Sequence, residues 1–186
     1  MSEYTRGIAI TVVFLALSLG VGAWMTARNP EVGQQVMSMI RDTIIGEALD
    51  SSRPVLALKI FINNLQACVL MFLGGATLGA LTVFIIGTNG FVIGSILELV
   101  GREHSPLYVA AALVPHGIFE IPAFVISGAL GFSLAAALLR EGYGEGDAAD
   151  RAREMGRLFL VVVLPLVAVA ALVEAFITPE ILRMVV

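Results

Sequence analysis

His116 and Glu120 stand four residues apart in the run Pro115-His116-Gly117-Ile118-Phe119-Glu120-Ile121-Pro122, inside a strongly apolar stretch. On a helix that spacing puts an imidazole and a carboxylate on one face, close enough to bond or pair. Ionisable groups are expensive to bury in an apolar setting, so these two are the first candidates for chemistry. Pro115 and Pro122 remove two backbone donors and loosen the local ladder, and Gly117 admits close backbone approach. Three uses fit. Glu120 can cap freed amides at the positive end of a helix start, holding a polar knot together. The pair can relay a proton or an ion. It can also bind a metal, but a catalytic zinc takes three protein ligands and an open position. His104, Glu98 and Glu174 are the other ligand types at hand, none at a diagnostic spacing, so the expectation is no metal and no cofactor.

Asn63 and Asn64, with Gln66, form a second polar group in an uncharged stretch. Amides in lipid bond to neighbouring helices, so they either glue helices together or line a polar path. Glu174 lies near the end of the last apolar segment, where it can snorkel, or pair with His116 or an amide. Gly75-x-x-x-Gly79 and Ser127-x-x-x-Gly131 are small-residue faces that permit close helix contact, within one subunit or between subunits. No Gly-x-Ser-x-Gly nucleophile element is present, and the glycine run at 74–79 follows no strand, which excludes the usual hydrolase and phosphate-loop signatures. The chain is not expected to be an enzyme.

The elements that must position these residues follow from composition. Of 186 residues, 58% are hydrophobic and only 14% charged, with a single cysteine. Soluble domains run near 25% charged. A chain this apolar cannot clothe itself in polar surface, so it reads as an all-α, polytopic helix bundle in a lipid bilayer, a single transmembrane domain over 1–186. Nucleic-acid binding is excluded by the acidic balance, −4 overall. Uncharged stretches of roughly 20 residues suit a bilayer crossing. They predict full spans at 7–27, 60–86, 121–139 and 158–177, the first an uncleaved anchor. Gly87-Thr88-Asn89-Gly90 reads as the turn that ends the second. Residues 91–114, broken by Gly101-Arg102-Glu103-His104-Ser105-Pro106, predict two re-entrant half-helices, with a fifth span as the alternative. Residues 28–59 read as an amphipathic connector, with Val32, Val36, Met39, Ile40, Thr43 and Ile44 on one face, either on the membrane surface or against the bundle. Four spans place both arginine-rich connectors on one side, eight Lys/Arg against three, hence in the cytoplasm.

Several elements occur together in order: Phe61-Ile62-Asn63-Asn64, the glycine-rich stretch with Gly75 and Gly79, Asn89-Gly90, Pro115-His116-Gly117-Ile118-Phe119-Glu120 with Pro122, and Glu174-Ala175-Phe176-Ile177-Thr178-Pro179. In these the sequence resembles the stage II sporulation protein M family of integral membrane proteins, over roughly residues 60–179. The resemblance marks Asn63, Asn64, Gly75, Gly79, Asn89, Gly90, Pro115, His116, Gly117, Glu120, Pro122 and Glu174 as a shared core and gives none of them a catalytic task. It implies about five hydrophobic segments in the cell membrane. The namesake acts in engulfment as a scaffold for the peptidoglycan-degrading sporulation proteins D and P. The leading expectation is therefore a non-enzymatic scaffold or subunit of a membrane complex, with a protein partner and homo-oligomers as associations. The alternative is a small permease or channel for a proton, an ion or a small solute.

Overall fold

The computed structural model describes residues 3–41 and 52–185. It is all-α. Helix α1 (Glu3–Arg28) is followed by a short α2 (Pro30–Ile40), then α3 (Arg53–Leu73), α4 (Ala80–Glu103) and α5 (Pro106–Gly142). The last run, Ala148–Val185, is built from α6 (Ala148–Leu158), α7 (Leu164–Leu172) and α8 (Thr178–Val185), joined by two π-helical turns. Among the described residues, five helices are long and apolar enough to cross a membrane. Their outward faces carry large apolar side chains such as Leu17, Phe84 and Val161, each more than 60% exposed, the face a bilayer would cover.

The helix boundaries correct the expected spans. Residues 60–86 are not one helix: the chain turns at Gly74–Thr77, and Leu78 and Gly79 adopt left-handed backbone at φ 54° and 88°. Two hydroxyls close this turn. Thr77 Oγ1 donates to Gly74 O and accepts from Leu81 N, while Thr82 Oγ1 reaches back to Met71 O at 2.8 Å. The expected turn at 87–90 is helix instead. There Thr88 Oγ1 donates to Phe84 O and Asn89 Nδ2 to Ile85 O, so both turn-forming side chains are satisfied by the helix backbone one turn earlier. The re-entrant pair is also absent. Residues 91–103 are the second half of α4 and 106–114 the first turns of α5, and a fifth span over 91–114 is not formed either. The charged break between them does hold: Ser105 caps α5 by accepting from Tyr108 N, and Pro106 occupies the first turn, where its missing donor is harmless.

The bundle is centred on α5. From Ala123 to Ala137 most residues are buried, and α5 packs there against α1, α3, α4 and α7. Small residues permit this. A Cβ at Gly75 would strike Gly131 O, and one at Gly131 would strike Met71 O, so both expected small-residue faces are engaged inside the chain. A further one is Gly90-Phe91-Val92-Ile93-Gly94 in α4, against which α1 lies parallel: Ser95 Oγ donates to Gly22 O, and a Cβ at Gly94 would overlap Leu19 O. In the connector, α2 packs on α1 and α4, Gly33 lying against Thr26 and Leu99, while Thr43 and Ile44 fall outside the described residues.

Both ends are tied by charge. At one, Arg102 donates to Ala27 O and Arg53 pairs with Glu180 at 2.5 Å; at the other, Glu3 pairs with Arg140 and Arg151. The two arginine-rich connectors therefore sit at opposite ends, not together. The imbalance of eight to three becomes six (Arg28, Arg41, Arg53, Lys59, Arg102, Arg183) against five (Arg6, Arg140, Arg151, Arg153, Arg157).

Candidate functional site

Both π turns precede a proline by two residues: Phe159–Val163 before Pro165, and Val173–Ile177 before Pro179. A proline ring clashes with the carbonyl four residues back, and widening the helix by one residue relieves that clash. Thr178 N then bonds to Val173 O, with Thr178 Oγ1 reaching the same oxygen at 3.4 Å. Glu174 is carried on the second of these widened turns, beside Ala175, which packs with Ile60 of α3.

The turn brings Glu174 to His116 and Glu120 of α5. One ligand atom from each of the three side chains lies within 4.8 Å of the others. His116 Nε2 stands 3.8 Å from Glu120 Oε2, near enough to attract and too far to be a hydrogen bond. Their side chains are 12% and 18% exposed. His116 Nδ1 is buried with no hydrogen-bond partner, which is rare for a ring nitrogen. Glu120 sits in mid-helix, fourteen residues past Pro106, so it caps no helix start. Taking the charged break at 102–105 as the bilayer surface, His116, ten residues past Pro106, lies about 15 Å deeper along the axis, half of a hydrocarbon core about 30 Å thick.

His116, Gly117 and Glu120 also line a cleft of about 580 Å³. Its other walls are apolar: Leu19 of α1, Ile93 and Leu97 of α4, and Leu113 and Ile121 of α5. The cleft lies beside the first half of α5, where Val114, Ile118 and Ile121 are more than half exposed, whereas Ala123 to Ala137 is mostly buried. Pro122 marks that boundary. Gly117 is not a close-approach glycine. A Cβ there would meet only Ile121 of its own helix at 3.7 Å, so the missing side chain keeps the cleft wall open.

The other expected site residues lie apart from this cluster or serve packing. Asn63 Nδ2 donates to Asn64 Oδ1 at 3.3 Å; Asn64 is buried on the face of α3 that carries Ile60 and Cys68, and Asn63 is exposed. Gly75 and Gly79 build the α3–α4 turn, Gly90 packs on Ser18 of α1, and Asn89 is spent on its own helix. The spacing of His116 and Glu120 pointed to one pair. Glu174, 54 residues later in the chain, is offered by the sequence as one possible partner of His116 among others, and no local spacing singles it out, although Pro179 foreshadows the irregular turn that brings it there.

A family model for stage II sporulation protein M matches residues 11–179. An uncharacterized protein of Methanocaldococcus jannaschii is 32% identical over 127 residues, covering 66% of this chain and 71% of the relative. A second uncharacterized protein of the same organism is 37% identical over 70 residues, 38% of this chain and 29% of the relative. No solved structure matches the chain. With five membrane-length apolar helices, the chain is a multi-pass protein of the cell membrane, and it belongs to the stage II sporulation protein M family.

Proposed function

We propose that this protein is a non-catalytic permease or channel for a small cation, with His116, Glu120 and Glu174 as its intramembrane binding point. The observation that carries this reading is the gathering of two carboxylates and an imidazole on and behind the wall of a membrane-depth cleft. Ionisable side chains at that depth are costly, and in membrane proteins they mark ion and substrate pathways. A structural role would bring their polar atoms into good hydrogen bonds, yet His116 and Glu120 stop short of one and Nδ1 has none. The scaffold reading draws less support, because the small-residue faces that would serve assembly with other proteins are occupied within the subunit.

Flux in proteoliposomes tests this. Protein reconstituted into vesicles carrying internal sodium, potassium or divalent-cation indicators should pass at least one of these cations faster than empty vesicles under an imposed gradient. Glu120→Gln should lower that flux at least tenfold while eluting as a folded species in detergent, and Gly117→Leu, which fills the cleft, should do the same. Flux no greater than in empty vesicles, together with loss of a co-purifying membrane partner in Glu120→Gln, would replace the permease reading with the scaffold.

A further inference from the structure

We infer that His116, Glu120 and Glu174 bind one divalent transition-metal cation of the zinc class, an inference that rests on the same site as the permease reading and names the cation. Three observations carry it. The donor set is one imidazole and two carboxylates, with one ligand atom from each within 4.8 Å of the others. Donors held about 2.0–2.2 Å from a tetrahedral zinc lie roughly 3.3–3.6 Å from one another, so separations of up to 4.8 Å need to contract by at most about 1.5 Å. Glu174 sits on a widened π turn, where the helix ladder is least rigid. Second, the spacing is the grammar of a helical metal site: two ligands at i and i+4 on α5, and a third from another helix. Third, His116 Nδ1 is buried without a hydrogen-bond partner and Nε2 stands 3.8 Å from Glu120 Oε2 without bonding to it, so neither ring nitrogen is committed to a protein partner and a ligand can take one.

The chemistry of the donors selects the metal. Calcium takes six to eight oxygens and magnesium keeps a near-octahedral oxygen shell with several waters, and neither favours an imidazole. Imidazole suits zinc, copper, iron and nickel, and carboxylates admit manganese beside them. Three protein ligands leave a coordination position free, and His116 and Glu120 both border the cleft, so that position is reached from there. A cation held by three ligands with one side open is one that can also leave.

The test uses the full chain in detergent, stripped with a chelator and titrated with Zn²⁺ and with Co²⁺. Calorimetry should give one Zn²⁺ per chain, with Mg²⁺ and Ca²⁺ at least a hundredfold weaker. Co²⁺ should develop visible absorption of a low-coordinate site, bleached by Zn²⁺. Glu120→Gln and Glu174→Gln should each weaken Zn²⁺ at least tenfold, and Glu145→Gln, remote from the cluster, should not. His116→Cys adds a positive signature, a thiolate-to-cobalt charge-transfer band absent from the parent, whose sole cysteine, Cys68, is fully buried. A parent protein that takes up no Zn²⁺, or a His116→Cys protein that binds Co²⁺ without that band, overturns the assignment. Vesicle flux of a monovalent cation without Zn²⁺ binding would sink this inference and leave the permease reading standing. Zn²⁺ binding without any flux would do the reverse.

Discussion

Glu174 is the residue on which the functional reading turns, because it brings a second carboxylate to His116 and Glu120 from another helix. It lies beside a second carboxylate, Glu120, in a setting where each charge is poorly solvated. An amide in its place has nearly the same shape and no charge to desolvate. Glu174→Gln should therefore leave the thermal stability of the metal-free protein unchanged or raise it by about 1 kcal/mol, the usual trade between stability and a working site. Differential scanning fluorimetry in detergent reads this directly. A fall of more than about 1 kcal/mol, the size of a typical lost hydrogen bond, would show that the carboxylate holds helices together instead. Leu78 carries strain of another kind, a side chain in left-handed backbone at φ 54° where it is well exposed. Leu78→Gly should stabilise by about 1 kcal/mol, measured in the same way.

At the scale of the element, the glycines sort themselves by what a methyl group would meet. In α4, Gly94 lies against Leu19 O and Ala23 N of α1, while Gly87, seven residues earlier, has nothing within 4 Å. Gly94→Ala should then destabilise by about 1–3 kcal/mol, because the obstruction is backbone that cannot swing aside. Gly87→Ala should stabilise by up to about 1 kcal/mol through helix propensity alone. The second half of that contrast also separates helix from turn at 87–90, since a turn needing glycine there would be damaged by alanine. Melting curves of the two variants settle both points. The π turns belong to the same scale: two prolines, each two residues past the widened segment, convert a plain apolar run into one that can swing Glu174 toward α5.

For the whole molecule, the consequence is topology. With α1, α3, α4, α5 and the last run each passing between the two charged ends, Ser38 and Glu145 lie at opposite ends of the bundle. Ser38→Cys and Glu145→Cys, each probed with an impermeant maleimide on intact cells and on inverted vesicles, should label from opposite sides. Cys68 is fully buried and contributes little background. Labelling of both from one side would restore a four-span arrangement. The near-even split of lysine and arginine removes any charge-based orientation, so this experiment also assigns the cytoplasmic end.

What the sequence determined by itself was the solvent and the class of structure. A chain 58% hydrophobic and 14% charged, with uncharged runs of about 20 residues, reads as a lipid-embedded helix bundle, because in a bilayer only helices and closed barrels satisfy their own hydrogen bonds and runs of that length suit helices. It also named the polar residues, since a histidine and two acids in apolar stretches stand out by their cost alone, and the charged break at 104–105 was legible from its proline and its capping serine. Tertiary structure decided where the other turn falls. Gly74-Gly75 and Gly87-Thr88-Asn89-Gly90 are both glycine-bearing breaks, and which one bends depends on which glycines are needed for packing and whether Thr88 and Asn89 find carbonyls in their own helix. Only the fold could bring Glu174 to His116 and Glu120, because that meeting depends on a π turn and on helix contacts far apart along the chain, and local spacing carries no record of either.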